Sequence, residues 1–358
     1  MEKKKNDFIA QGSILAVASI LVRVMGMIYR IPMTAIIGDK GNGFYSYAYS
    51  VYTILLLLSS YSLPLAVSKM VSAKAQLGQW RNVKRVFICA IAFAIGIGTT
   101  FGLIVLIGAQ FFTRVFFHSE LAAIALRFMA PTILIMALLG VFRGFFQGLQ
   151  NTLPTAVSQI VEGLINAIMS VVFAYFLFDF GHGMDAASGT TDLGYAWGAA
   201  GGAIGTGAGA LAGLIFCFIL FVAYRKILAV NISRDKTGTQ QEYGDIFRLM
   251  LSIALPVILS TALYNLIELV DGSLFNNIMA SKGMEDVKDS MWGAYNAKAL
   301  LLVHIPVSIS SAMAVSLVPT LTAAYALGDE QTAKSKVHAI LRFISILAFP
   351  SAVGLLVL

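Results

Sequence analysis

The chain has 358 residues, of which 58% are hydrophobic and 12% are charged, and its mean hydropathy is +0.82. Soluble domains are about 45–50% apolar and about 25% charged, so this composition excludes a soluble globular enzyme and indicates a polytopic membrane protein. The formal net charge is +7; its distribution along the chain predicts membrane topology and gives no reason to expect nucleic acid as a partner.

Nine apolar segments follow one another, and each is long enough to cross a hydrocarbon core of about 30 Å as a helix. The runs are continuous rather than alternating, which favours helices over a barrel. The predicted spans are 8–37, 46–68, 84–108, 121–142, 154–178, 194–224, 249–275, 295–322 and 339–358. The first follows the basic sequence MEKKK but lacks a small-residue cleavage site, so we interpret it as an uncleaved span.

Basic residues are distributed unevenly between these spans. With the N-terminus in the cytoplasm, seventeen of the 25 lysines and arginines fall in cytoplasmic segments and four in outer segments. The other four, Arg23, Arg30, Arg127 and Lys298, lie within spans or at their edges. This positive-inside pattern predicts a multi-pass protein with a cytoplasmic N-terminus, whose basic loops contact anionic membrane lipids.

The sequence repeats at an offset of 250 residues, which superimposes the first two spans on the seventh and eighth. The matches are Gly43-Phe-Tyr45 with Gly293-Ala-Tyr295, Leu77-Gly78 with Leu327-Gly328, and Lys84 with Lys334. Because six spans separate the matched pairs, both halves have the same orientation. We predict an all-α protein with a six-helix N-terminal lobe over 1–230 and the start of a second lobe over 231–358. A second six-helix unit needs further spans, so we expect a fragment of a longer protein.

Two arginines lie inside the first apolar run. Arg23 and Arg30 are seven residues apart, which places them about 10 Å apart along a helix and on nearly the same face. A central arginine costs about 2.5–3.5 kcal/mol on insertion scales, so these residues need a partner. One interpretation is pairing with an internal carboxylate; the other is a water-filled cavity for an anionic ligand, since guanidinium binds phosphate through two hydrogen bonds.

Other polar residues also fall at membrane depth. Glu162 lies in the fifth span, while Glu268 and Asp271 share one face of the seventh. We assign all three acids to ion coupling or charge pairing. The paired Glu268 and Asp271 could bind Na⁺ or a proton and couple transport to an ion gradient, or they could neutralise Arg23 or Lys298. Lys298 lies in the eighth span with His304, which we interpret as a packing residue.

No catalytic constellation, metal-ligand cluster or phosphate-binding loop is found in the sequence, so we expect neither an enzyme nor a cofactor. The sixth span is rich in glycine, spaced every four residues on two faces. The two sets are Gly194, Gly198 and Gly202, and Gly201, Gly205, Gly209 and Gly213. This spacing predicts close helix packing.

Three stretches resemble one protein family. The sequence FRGFFQGLQNTLPTAVSQIVE (142–162) is similar to the signature of the fourth and fifth helices in the stage V sporulation protein B-like branch of the multidrug/oligosaccharidyl-lipid/polysaccharide flippase superfamily. The first-helix sequence SILVRVMGMIYRIP (19–32) and LVPTLTAAYALGD (317–329), at the end of the eighth helix, resemble the same branch. This branch is related to the lipid II flippases.

The resemblance implies two six-helix lobes around a central cavity in a bacterial plasma membrane. It also implies movement of undecaprenyl-pyrophosphate-linked oligosaccharide or peptidoglycan precursor from the inner to the outer leaflet, in growth or sporulation. Arg23 matches the first cavity arginine of lipid II flippases, Arg30 lies one residue after the position of the second, and Lys298 matches a basic position in the eighth helix. Asp271 resembles the acid of their cation site, which implies Na⁺ there.

Two other functions compete with a flippase. A multidrug or cation antiporter of the same fold should have acids rather than arginines in its cavity, so Arg23, Arg30 and Lys298 argue against it. The repeat and the intramembrane charges argue against a passive membrane scaffold. An integral-membrane glycosyltransferase should have a large loop with paired acids, and the sequence has none.

Overall fold

The computed structural model describes residues 2–189, 191–300, 302–304, 306–307, 310 and 329–357, and every regular element within them is helical. The helices are α1 (Glu2–Leu56), α2 (Leu63–Gln76), α3 (Trp80–Phe117), α4 (Ala122–Gly148), α5 (Leu153–Ser188), α6 (Leu193–Ser233), α7 (Tyr243–Ser281), α8 (Glu285–Ala294) and α9 (Glu330–Val357). Within this described part, six helical stretches are long and apolar enough to cross a membrane. The chain is therefore a multi-pass, all-α membrane protein, as predicted.

The first long helix bends where the sequence predicts the end of the first span. Gly38 has φ 63° and ψ −176°, a conformation that glycine adopts readily because it has no Cβ. The predicted spans 8–37 and 46–68 lie on either side of this residue. The second continues through a π-helical turn, Leu57–Tyr61, into α2. The predicted eighth span begins at a second π-helical turn, Tyr295–Ala299, but most of it lies outside the described residues.

Hydrogen bonds join the α2–α3 turn to the α6–α7 connection at one end of the bundle, which we call the basic end. Asp235 Oδ2 accepts a hydrogen bond from the Arg81 backbone N–H at 2.9 Å. Arg85 donates to the Gln241 carbonyl oxygen at 2.6 Å. The Arg81 hydrogen bond is the largest of the contributions that lower the pKa of Asp235 to about 2. Both connections therefore lie at the same end, as the predicted topology requires.

Different contacts close the opposite end of the bundle. Lys40 Nζ lies 2.7 Å from Asp192 Oδ1, which joins the bend in α1 to the start of α6. Lys288 of α8 donates to the carbonyl oxygens of Phe117 and His118, at 3.3 and 2.7 Å. These are terminal carbonyls of α3, which lack partners within their own helix. Lys288, a residue of the predicted second lobe, therefore caps the C-terminus of α3.

The glycine faces of α6 pack against two different helices. A Cβ atom on Gly205 would overlap Ser170 of α5, and one on Gly209 would lie 2.6 Å from the Glu162 carbonyl oxygen. On the other face, a Cβ on Gly198 would lie 2.7 Å from the Ile37 side chain of α1. The predicted close packing is thereby confirmed, and it assembles α1, α5 and α6.

Helices α1 and α8 cross at two glycines that the sequence repeat relates to each other. A Cβ on Gly43 would overlap the Asp289 carbonyl oxygen, and one on Gly293 would overlap that of Asp39. The two aspartates also differ by 250 in number, so the contact is reciprocal and pseudo-symmetric. Only glycine permits this backbone approach, and the crossing closes the opposite end between the two predicted lobes.

Candidate substrate-binding cavity

A cavity of about 500 Å³ lies beside this crossing, between α1 and the helical residues that follow α8. Tyr45 follows Gly43 by two residues, and Asn296 follows Gly293 by three, so the crossing lies next to the cavity. The lining residues are Arg23, Gly26, Met27, Tyr29, Arg30, Tyr45, Ser46, Tyr49, Asn296, Leu300, His304 and Val307. Residues of both predicted lobes therefore contribute to one cavity.

Both arginines of the first span line this cavity. Arg23 is exposed and Arg30 is half-buried. Among the described residues, no carboxylate oxygen lies within 4 Å of either guanidinium group. An arginine at membrane depth is costly unless it finds a counterion or water, and among the described residues this pair has no carboxylate counterion within 4 Å.

Tyrosines form the cavity wall between the arginines and the crossing. The rings of Tyr45 and Tyr49 stack with centroids 5.8 Å apart and an interplanar angle of 17°. The hydroxyl groups of Tyr45 and Thr206 lie 3.4 Å apart, which links this wall to α6. Tyr49 is 37% exposed. Such a wall presents a flat apolar face with polar rims, which suits a ligand that is itself amphipathic.

Lys298 is placed differently from its predicted position. Its ammonium group lies 2.7 Å from Asp39 Oδ2, at the opposite end, and it is not among the residues that line the cavity. The side chain of Lys298 is 59% exposed and that of Asp39 is 32% exposed. Lys298 therefore contributes to the contact between α1 and the π-helical turn that follows α8.

Glu162 pairs with a residue that the sequence assigned to a cytoplasmic segment. Arg143 lies inside α4 and is buried. Its Nη2 lies 2.7 Å from Glu162 Oε2, and its Nε donates to Ser158 Oγ at 2.8 Å. The Glu162 carboxylate therefore neutralises Arg143 within the first lobe, rather than Arg23 or Lys298.

Of the two predicted acids of α7, Asp271 is not among the residues that line the cavity. Asp271 is exposed, and the side chain of Glu268 lies outside the described residues. In the part of the chain that the structure describes, no group of three or more His, Cys, Asp or Glu side chains could hold a metal ion. Coupling through these acids, including Na⁺ at Asp271, stays a prediction.

His304 and Asn296 are cavity residues that the sequence did not single out as such. The interpretation of His304 as a packing residue was wrong, because its side chain is exposed on the cavity wall. Helical periodicity alone does not reveal which face of the eighth span meets α1. Asn296 lies three residues after Gly293. Its closeness to this repeated glycine was the sequence signal that could have identified Asn296 as a cavity residue.

Comparison with known proteins assigns the family. The family profile described as polysaccharide biosynthesis protein matches residues 8–324. The chain belongs to this family. The match includes all of α1–α8 except the first residues of α1, and therefore both sides of the cavity.

Two relatives from Bacillus subtilis (strain 168) match almost the whole chain. It is 26% identical to lipid II flippase MurJ over 354 residues, covering 96% of this chain and 62% of the relative. It is 25% identical to stage V sporulation protein B over 323 residues, covering 89% and 58%. The chain thus spans about three fifths of the length of these relatives.

Solved transporters share the fold at low sequence identity. An inward-facing multidrug resistance MATE family transporter of the MOP superfamily matches with a TM-score of 0.63 and 14% identity, covering 93% of this chain and 72% of that chain. A MOP superfamily transporter from Pyrococcus furiosus, described as having a binding pocket of reverse polarity, matches with a TM-score of 0.57 and 14% identity, covering 96% and 70%. The family member described here therefore has the MOP transporter fold.

Proposed function

We propose that this protein is a flippase, which moves a lipid-linked pyrophosphoryl glycan from the inner to the outer leaflet by alternating access. Lipid II-type peptidoglycan precursors and other undecaprenyl-pyrophosphate-linked oligosaccharides are the substrates of choice. The observation that carries the proposal is the pair Arg23 and Arg30 on one cavity wall, with no carboxylate within 4 Å among the described residues. The relationship to lipid II flippase MurJ and stage V sporulation protein B supports it.

The pair suits a diphosphate group for a chemical reason. Each guanidinium group presents a planar fork of N–H donors that matches two phosphate oxygens. A cationic drug would instead be repelled by two uncompensated positive charges. Among the described residues, the cavity lining has no acid that would suit the antiporter alternative, although solved MATE transporters share the fold.

The proposal includes topology and energy coupling. Residues 1–230 form the N-terminal lobe, and 231–358 begin the second lobe. The protein lies in a bacterial plasma membrane with its N-terminus and basic end in the cytoplasm, where the basic connections contact anionic lipids. A Na⁺ or proton gradient drives the return of the empty cavity, with Asp271 and Glu268 as the proposed coupling acids.

Transport by the full-length protein in proteoliposomes tests this function. Fluorescent lipid II is placed in the membrane, and its exposure to an impermeant quencher is followed over time, with and without an ion gradient. We expect Arg23→Gln to abolish exchange, because the diphosphate loses a charged partner in the cavity. Arg225→Gln, which removes an exposed arginine of α6, is the matched control and should transport like wild type.

The outcomes separate the two candidate functions. Lipid II exchange that depends on Arg23 supports the flippase. Transport of a cationic dye in place of lipid II would support the antiporter. Exchange of lipid II at the same rate in wild type and Arg23→Gln would remove the proposed role of the arginine pair.

A further inference from the structure

The cavity has one titratable group on its second-lobe wall, within the part of the chain that the structure describes. His304 lines the same space as the two arginines and is exposed there. Its neighbour on that wall is Asn296, whose Nδ2 donates to the Trp292 carbonyl oxygen at 3.0 Å. The basic residue that the sequence predicted for this wall, Lys298, is held by Asp39 instead.

We propose that His304 is the second lobe's contact for the anionic group of the substrate and that it binds this group in its protonated form. This inference rests on the proposed function and names a further residue of the same site. Histidine is the side chain that changes charge between about pH 5 and pH 8. Protonated imidazole donates hydrogen bonds from both ring nitrogens, so it can bind a phosphate oxygen.

In this proposal, the anion supplies the charge that favours a protonated His304. The titratable or charged cavity groups that face it, all from α1, are Arg23, Arg30, Tyr29, Tyr45 and Tyr49. A bound diphosphate reverses the local sign and favours protonation. Ligand binding and proton uptake by His304 therefore favour each other.

The position of His304 also links the ligand to both lobes. The arginines lie on α1, and His304 follows α8 in the chain. A ligand held by all three cations bridges the lobes across the cavity. This contact favours a state in which the two walls stay close, whereas a neutral imidazole leaves the ligand on the first lobe alone.

The test measures binding of farnesyl pyrophosphate to the full-length protein in lipid nanodiscs, by calorimetry at about pH 6 and about pH 8. Wild type should bind about tenfold more tightly at the lower pH, since a charge-assisted hydrogen bond is formed. His304→Gln should lose this pH dependence. His338→Gln is the matched control, because it removes an exposed histidine from α9, and it should behave like wild type.

A second variant distinguishes the loss of the histidine's charge from misfolding of the protein. His304→Arg carries a permanent charge, so it should bind the probe tightly at both pH values. An unchanged pH dependence in His304→Gln would overturn the role of His304 but leave the proposed function intact, provided that Arg23→Gln still abolishes binding. Absence of wild-type binding to the pyrophosphate would overturn both proposals.

Discussion

The interior of the predicted first lobe and the contact between α1 and α8, which we call the seam, share two structural features. Each has glycines that bring helix backbones close together, at Gly205 in the lobe and at Gly293 in the seam. Each also has a long-range ion pair with a separation of 2.7 Å. The difference is burial: the lobe pair has side chains that are 11% and 25% exposed, whereas those of the seam pair are 59% and 32% exposed.

This difference predicts that the two ion pairs respond differently to the loss of one partner. A buried ion pair leaves an uncompensated charge when one partner is lost, and that is strongly destabilising. An exposed pair contributes little, because water solvates each charge after separation. In the proposed alternating-access cycle, we therefore expect the first lobe to move as one body and the seam to open and close.

The largest expected effect comes from breaking the buried pair. Arg143→Met should destabilise the protein by about 3–5 kcal/mol, because Glu162 is left without its countercharge. Thermal unfolding of the purified full-length protein measures this loss. The double variant Arg143→Met/Glu162→Leu should regain most of the stability. Equal instability of the single and double variants would contradict a role for the pair itself.

Adding a side chain at Gly293 of the seam should change the conformation of the protein rather than its folding. Gly293→Ala places a Cβ against the Asp39 carbonyl oxygen, and such overpacking costs about 1–3 kcal/mol. We expect the opposite end to open, seen as a longer distance between spin labels at Ala187 and Lys282, which are both exposed. Gly183→Ala, with no atom within 4 Å of its new Cβ, is the matched control. An unchanged distance in Gly293→Ala would show that the crossing does not require glycine.

The smallest effect on stability should come from the exposed pair. Lys298→Met should change the free energy of unfolding by about 0.2–1 kcal/mol, as is typical of exposed ion pairs. A loss as large as that of Arg143→Met would contradict the comparison.

Variants of the Lys298–Asp39 pair test whether Lys298 contacts the pyrophosphate at another stage of the proposed transport cycle. If it does, Asp39→Asn should tighten binding of farnesyl pyrophosphate by releasing the lysine, and Lys298→Met should weaken it. Equal affinities in wild type and both variants would confine Lys298 to the seam.

Much of the fold is readable from local sequence, while the site is readable only in part. Hydropathy places the predicted span boundaries close to the observed helices, and the repeat identifies Gly43 and Gly293 as equivalent. Arg23 and Arg30 stand out because a permanent charge is rare in an apolar run. His304 does not stand out, because a lone histidine in a span has no local signature of function.

The sequence by itself determined the class of protein, the approximate limits of its spans, its internal repeat and the two arginines that need a counterion. These features depend on composition and on spacing along one helix. The tertiary structure decided which charges are paired: Arg143 with Glu162, and Lys298 with Asp39, a residue 259 positions away. It also decided that His304 faces the arginines. The physical reason is that charge pairing acts over a few ångströms in space. Packing brings together side chains that are far apart in the sequence, and the local sequence of one helix does not identify the residue that it contacts on another.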